Sequence, residues 1–194
     1  MESETIDFIN MADGTREEYE LLERHYRDFS DALPDRVFAH LQLLAGDLMG
    51  YKIDRFQHSL QTATRAQRDG AAEEMVVAAL LHDIGDTISP ENHSELAASV
   101  LQPYVSARTH WIVKHHGVFQ GYYFFHHLGG DRNARDRFRG HPLFEPCAEF
   151  CARWDQNSFN PDYDTMPLAA FEPAVRRIFA RKPFGDHLGE PLPA

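Results

Sequence analysis

The sequence predicts an all-α fold, on the strength of three observations. Apolar residues recur with helical periodicity, whereas the alternating pattern of a half-buried strand is hard to find. Residues that start and stop helices recur along the chain, such as Pro34 before an apolar run and Gly70 after one. The 194 residues, 43% hydrophobic and 25% charged, can bury a core without disulfides. We therefore expect a compact single-domain helical bundle over residues 1–194.

The individual helices follow from these patterns in chain order. Thr15 is the expected N-cap of the first, because Glu18 follows three residues later as in a capping box. The expected helices cover 15–31, 34–50, 55–70, 71–86, 89–104, 105–117, 141–159 and 170–182. Residues 119–142 mix aromatics, glycine and arginine and should be partly irregular. We expect a loose tail over about 185–194.

Composition excludes several classes of function. The net charge of -11 argues against nucleic-acid binding, which usually requires a basic surface. No apolar stretch approaches the roughly 18 residues of a membrane span, and the N-terminus lacks the basic and apolar segments of a secretory signal. Cys147 and Cys151 are expected to pack as small apolar residues. A cytoplasmic protein that acts on a small molecule is the expectation, as a monomer or a homodimer.

Four histidines and two aspartates form the candidate metal site. Burying such groups at the ends of apolar helices is costly unless a cation is present. They are His58, His82, Asp83, His93, His116 and Asp155. All but the adjacent pair fall on separate helices or helix ends, and mixed nitrogen and oxygen ligands suit iron, manganese or zinc. This is the ligand inventory of two ions, with Asp83 able to bridge them. Spacing alone leaves His115 and His116 open as alternatives.

The ordered pattern H…HD…H…H…D resembles the HD-domain superfamily over residues of about 35 to 160, the expected metal-binding core. The strings FQHSLQTATRAQRDGAAEEMVVAALLHDIGD, ENHSELAASVL and RWDQNSF are similar to the small HD-domain oxygenases that cleave the carbon–phosphorus bond of 1-hydroxyphosphonates, relatives of myo-inositol oxygenase. The resemblance implies a mixed-valent Fe(II)/Fe(III) pair, O2 as co-substrate and a catalytic role for Asp83. It also assigns the six residues to the family's ligand positions, with His116 preferred over His115.

The string HHGVFQGYYFFHHLGGDRNARDRF is similar to the branch that acts on (1-hydroxy-2-(trimethylamino)ethyl)phosphonate. This resemblance implies glycine betaine and phosphate as products. One alternative is an oxygenase of 2-amino-1-hydroxyethylphosphonate, which would release glycine. Another is a metal-dependent HD-domain phosphohydrolase, because such enzymes share much of the ligand set. A non-catalytic sensor that retains the metal site is a third.

Four residues are candidates for substrate binding. Tyr51, seven residues before His58, falls about where the primary-amine enzymes place a glutamate, and an aromatic face suits a quaternary ammonium. Asp86, one turn after the His-Asp pair, could add a carboxylate. Arg153 could bind a phosphonate bidentately, and Gln120 falls about where the amino-substrate relatives carry a lysine. Further aromatic candidates are Tyr122, Tyr123, Phe124 and Phe125.

Overall fold

The computed structural model describes residues 5–189 and confirms the all-α prediction. Over this range the regular structure consists of eight α-helices and short 3-10 turns, without a strand. The helices are α1 (Arg16–Asp31), α2 (Leu33–Gln42), α3 (Arg55–Arg68), α4 (Glu73–Leu81), α5 (His93–Leu101), α6 (Ala107–Gln120), α7 (Phe144–Arg153) and α8 (Glu172–Phe179). Among the described helices, none has both the length and the apolar character that a membrane span needs.

The chain divides into two compact units, which span residues 1–38 and 39–194. In the first unit, α1 begins with the predicted capping box. The Thr15 hydroxyl accepts a hydrogen bond from Glu18 N at 3.3 Å, and the Glu18 carboxylate accepts one from Thr15 N at 2.8 Å. Backbone donors, Thr15 N foremost, lower the pKa of the Glu18 carboxyl to about 2.

The predicted extent of α2, residues 34–50 with Gly46 or Gly50 near its end, is wrong at the C-terminal end, because the helix stops at Gln42. The backbone then enters the left-handed region at Gly46, with φ of 110°, and again at Gly50, with φ of 86°. Such angles are incompatible with a continuing right-handed helix. Gly46 N instead donates to the Asp54 carboxylate at 3.0 Å, which ties the loop to the start of α3.

The core of the second unit is built around α4, whose residues 76–81 are all buried. This helix packs against α3, α6 and α8, while α6 also packs against α5 and α7. Each fully buried leucine contributes roughly 1.5–3 kcal/mol relative to an exposed one. Because α4 is buried up to its last residue, the chain delivers His82 and Asp83 into the interior as it leaves the helix.

The long buried face of α3 carries polar residues as well as apolar ones. Gln61 holds the backbone of Asn160 at two points: its side-chain NH2 donates to Asn160 O at 2.6 Å, and its side-chain oxygen accepts from Asn160 N at 3.3 Å. Thr64 likewise accepts a hydrogen bond from Met166 N at 3.1 Å. The segment that follows α7 is therefore fixed along α3, next to His58.

The remaining segments follow the sequence predictions in part. Residues 121–138 contain three 3-10 turns, in agreement with the expected irregular region. Cys147 and Cys151 are free and buried, and burial raises the pKa of the Cys151 thiol. Near the end of the described residues, a short 3-10 turn, Asp186–Leu188, contains His187, whose Nε2 lies 3.0 Å from Pro103 O. Residues 190–194 of the predicted loose tail lie outside the described residues.

Candidate metal centre

All six predicted metal ligands converge in the second unit. α3 supplies His58, the turn after α4 supplies His82 and Asp83, α5 begins at His93, α6 supplies His116, and the turn after α7 supplies Asp155. Asp155 had been expected on the helix itself, but α7 ends two residues earlier. Five of these side chains are buried, and that of His93 is 27% exposed.

Asp83 lies between two pairs of histidines, with one carboxylate oxygen toward each pair. Its Oδ2 is 3.4 Å from Nε2 of both His58 and His82. Its Oδ1 is 3.2 Å from Nε2 of His116 and 3.5 Å from Nε2 of His93. On the first side, Asp155 Oδ1 is 3.3 Å from His58 Nε2. The six side chains thus form two ligand groups that share Asp83.

Each histidine of the cluster is oriented by a backbone carbonyl. The Nδ1–carbonyl distances are 2.9 Å for His58 and Ser158, 2.8 Å for His82 and Ala79, 3.0 Å for His93 and Pro90, and 2.6 Å for His116 and Val113. A carbonyl oxygen only accepts, so Nδ1 carries the hydrogen in each ring. In the neutral form of each ring, Nε2 then presents its lone pair to the interior of the cluster, as in metal-binding histidines.

Two further observations fit a metal ion. His58 Nε2 and His82 Nε2 lie 3.1 Å apart, a contact that is favourable only when a proton or a cation lies between them. Two nitrogens about 2.1 Å from one ion at a right angle would lie about 3 Å apart. Asp155 Oδ2 is also buried, without a hydrogen-bond partner in the described part of the chain. These residues therefore fit divalent or trivalent metal ions.

The charges within the cluster keep its carboxylates ionised. Burial alone would raise the pKa of Asp83 and of Asp155, but the facing histidines hold both pKa values below their usual range. Burial likewise disfavours the charged form of His82, yet the charges of Asp83 and Asp155 raise its pKa to about 9. A metal ion that binds here must displace the proton of His82.

Gly85 allows the turn after α4 to pack directly on the start of α5. A Cβ at this position would lie 2.6 Å from the carbonyl oxygen of His93 and 2.8 Å from its Cα. Both are backbone atoms that cannot move without displacing His93. The glycine of the HDIGD string is therefore required for the distance between Asp83 and His93.

A cavity of about 260 Å³ opens directly on the cluster. Four aromatic residues contribute to its wall: Tyr51, Tyr123, Phe124 and Phe159. The Phe159 ring stacks on both sides, with centroid distances of 4.9 Å to Tyr51 and 4.4 Å to His58. The aromatic wall therefore extends without a break to a predicted metal ligand.

Two of the four predicted substrate contacts lie in the cavity. Tyr51 and Gln120 both line it, and the Gln120 amide donates to Asp155 Oδ1 at 3.1 Å. Asp86 lies behind the wall instead, because one oxygen is 3.2 Å from His93 Nδ1 and the other is 3.1 Å from Arg55 Nε. The structure therefore does not bring Asp86 to the cavity, since its oxygens face protein groups.

Arg153, the fourth predicted substrate contact, also lies outside the cavity. Its side chain is 55% exposed and its Nη2 lies 2.9 Å from Asp69 Oδ2, on a groove separate from the cavity. Arg153 ends α7, whereas Asp155 follows Trp154, whose φ of -119° and ψ of -62° depart from a regular helix. The two side chains therefore leave the backbone in different directions.

His115 and His116, which spacing alone could not separate, occupy different surroundings. His116 faces Asp83, while His115 Nδ1 lies 2.8 Å from Trp111 O. The His115 ring packs against Trp111 at a centroid distance of 4.1 Å and against Phe138 at 4.6 Å. His116 is therefore the residue that the structure brings to the cluster.

Sequence reasoning missed four residues of the cavity wall: Arg55, Gly117, Gln156 and Phe159. Arg55 could have been found, because it precedes His58 by three residues on α3 and such residues share a helix face. Nη1 of Arg55 lies 3.7 Å from Asp83 Oδ2. Burial lowers the pKa of Arg55, but the charges of Asp83 and Asp86 outweigh it and raise the pKa. Phe159 lies in an irregular segment, where no periodicity predicts its direction.

The geometry and the comparisons with known proteins lead to one family. The HD-domain model matches residues 55–155, slightly more than half of the chain, and this range includes all six residues of the cluster. The chain belongs to the HD-domain family. It is 27% identical, over 161 residues, to the [1-hydroxy-2-(trimethylamino)ethyl]phosphonate dioxygenase (glycine-betaine-forming) of Leisingera caerulea. That alignment covers 68% of this chain and 82% of the relative.

Proposed function

We propose that the protein is a non-haem diiron oxygenase that cleaves the C–P bond of (1-hydroxy-2-(trimethylamino)ethyl)phosphonate. The products would be glycine betaine and phosphate. The reaction consumes one O2 for each phosphate: C1, which carries one hydrogen, one hydroxyl and the phosphorus, is oxidised to a carboxylate, and a proton is released. The proposal agrees with the activity for which the Leisingera relative is named.

The observation that carries this proposal is the position of Asp83 between two histidine pairs. Because each oxygen of Asp83 faces a different pair, at 3.2 to 3.5 Å, the carboxylate can bridge two ions. The adjoining cavity gives a substrate access to the same point. When bound, an iron pair would supply the redox chemistry that activates O2. The six side chains would hold both ions and leave coordination positions open toward the cavity.

The aromatic wall supports the trimethylammonium substrate over the primary amine. A quaternary ammonium has no N–H to donate, and aromatic faces recognise such a cation. Tyr51, which is 46% exposed, and Phe124, which is 42% exposed, line the cavity next to the cluster, whereas the faces of Phe159 are covered by Tyr51 and His58. A primary ammonium would instead be bound best by a carboxylate, and both oxygens of Asp86 already face His93 and Arg55.

The other residues of the site would orient the reacting groups and limit access of water. Gln120 donates to Asp155 Oδ1 and so fixes that carboxylate relative to His58. The rings along the wall would exclude water from the bound substrate, which strengthens electrostatic contacts in the cavity. Asp83 stays ionised, as its role in bridging two cations requires.

The test uses iron-loaded protein and both hydroxyphosphonates, with phosphate, glycine betaine and glycine measured in the presence and absence of O2. We expect phosphate and glycine betaine in equal amounts, only with O2, and an EPR signal from a coupled Fe(II)/Fe(III) pair. Phosphate release that persists without O2 would instead indicate hydrolysis. Glycine formed faster than glycine betaine would indicate the primary-amine substrate.

A further inference from the structure

The phosphonate end of the proposed substrate requires a cationic partner, which the predicted contacts do not supply. Gln120 is neutral and its amide already donates to Asp155. Arg153 pairs with Asp69 outside the cavity. Among the residues that line the cavity in the described part of the chain, Arg55 is the single lysine or arginine.

Arg55 lies where a cation could meet an anion held at the cluster. It is the first residue of α3, so the helix places it on the side of His58. Its side chain is 23% exposed, and its Nη1 is 3.7 Å from Asp83 Oδ2. The guanidinium also lies 5.1 Å from the centre of the Tyr51 ring. Arg55 therefore lies beside both the bridging carboxylate and the aromatic wall.

The hydrogen-bond donors of Arg55 are not fully used by the protein. Its Nε lies 3.1 Å from Asp86 Oδ2, close enough for the two side chains to form an ion pair. The angle does not allow a hydrogen bond, and this buried Nε has no other partner in the described part of the chain. A buried donor without a partner is costly. Gln120 Oε1, on the same cavity, is buried and unpartnered as well over the described residues.

We propose that Arg55 binds the phosphonate group of the substrate and thereby determines specificity for a tetrahedral oxyanion. This inference rests on the proposed function. A guanidinium can donate two parallel N–H groups to two oxygens of a phosphonate, whereas a lysine offers a point charge. Asp86 would act as a positioning residue that holds the guanidinium beside the cluster. Tyr51 and Phe124, which also line the cavity, would then contact the trimethylammonium end of the substrate.

A purely structural role for Arg55 makes a different prediction. If the charge of Arg55 served only to neutralise Asp83 and Asp86, removing that charge would alter metal binding. The affinity of metal-loaded protein for anions would then be unchanged. If Arg55 binds the phosphonate, its removal would weaken anion binding at unchanged metal content. Metal content and anion affinity must therefore be measured on the same samples.

The experiment measures binding of inorganic phosphate to iron-loaded protein by calorimetry, with metal content determined for each sample. The variants are Arg55→Gln and Arg55→Lys, and Arg153→Gln is the matched control on the separate groove. We expect about a 10- to 100-fold increase in Kd for Arg55→Gln, because charge-assisted hydrogen bonds are lost. Arg55→Lys should weaken binding less, and Arg153→Gln should bind like the wild type.

Two results would overturn the role of Arg55. One is wild-type phosphate affinity in both Arg55 variants at full metal content. The other is a loss of metal that accounts for the whole loss of phosphate binding. Failure of the proposed function would give a different result. Neither the wild type nor any variant would release phosphate from the hydroxyphosphonates in an O2-dependent way, but the wild type would still bind inorganic phosphate more tightly than Arg55→Gln. In turnover assays, Arg55→Gln should raise KM more than it lowers kcat.

Discussion

The two halves of the candidate site are built differently. In the predicted metal-binding half, which the six candidate ligands form, each histidine is oriented by a backbone carbonyl, and five of the six side chains are buried. In the cavity wall, Tyr51 is 46% exposed, Phe124 is 42% exposed, and Arg55 Nε lacks a hydrogen bond in the described part of the chain. One half is thus organised before any ligand binds, whereas the other retains groups that a ligand would engage.

This difference separates affinity for metal from recognition of substrate. The histidines need no rearrangement to present Nε2, so most of their ordering occurs on folding. The wall residues gain contacts only when a substrate binds. Changes in the metal-binding half should therefore abolish activity by removing ions, and changes in the wall should alter KM while metal content stays constant.

The largest effect is expected from Asp83→Asn. An amide lacks the charge that attracts two cations, so iron content should fall from two ions to at most one per chain, and phosphate release should fall to background. Metal analysis and turnover assays on the same sample measure both. Asp164→Asn, at a carboxylate that is 92% exposed, is the control. Retention of two ions and full activity in Asp83→Asn would disprove the bridging role.

A strong dependence on pH is expected for metal binding. Because the pKa of His82 in the metal-free protein is about 9, the ion competes with a proton at lower pH. Affinity should therefore rise with pH, by up to about tenfold per unit from this group, and level off above about pH 9. Metal titrations at several pH values measure this, with His127→Gln at an exposed histidine as the control. A metal affinity that does not change between pH 7 and pH 9 would contradict the raised pKa of His82.

A moderate effect on substrate affinity is expected from Tyr51→Ala. Loss of an aromatic face should raise KM for the trimethylammonium substrate by about 2- to 30-fold, which corresponds to about 0.5–2 kcal/mol. Iron content should not change. Tyr26→Ala, at a tyrosine that is 70% exposed in the N-terminal unit, is the control. If KM is the same in Tyr51→Ala and the wild type, Tyr51 does not bind the substrate.

The smallest effect is expected from Arg153→Gln. Its ion pair with Asp69 is partly exposed, and exposed pairs contribute little, about 0–1 kcal/mol. The values of kcat and KM should stay within about twofold of the wild type, because Arg153 lies outside the cavity and surface substitutions usually change stability by no more than about 0.5 kcal/mol. An increase in KM without loss of iron would instead indicate that Arg153 binds the substrate.

The sequence allowed most of the fold, and the convergence of the six candidate metal ligands, to be predicted for identifiable reasons. Thr15 and Glu18 form the capping box that marks the start of α1. The histidines and aspartates at the ends of buried helices predict a bound cation, because their burial is otherwise costly. The end of α2 could not be predicted, because it depends on left-handed backbone angles in the loop that follows. Arg153 and Phe159 flank the turn around Asp155, where the side-chain direction depends on non-helical backbone angles.

The central claim is that six side chains hold two metal ions, with Asp83 between them. Anaerobic titration of the metal-free protein with Fe(II), followed by metal analysis after removal of free iron, tests it most directly. We predict two iron ions per chain in the wild type and, after partial oxidation, an EPR signal from a coupled pair. A single ion per chain at saturation, with no sign of coupling, would contradict the account.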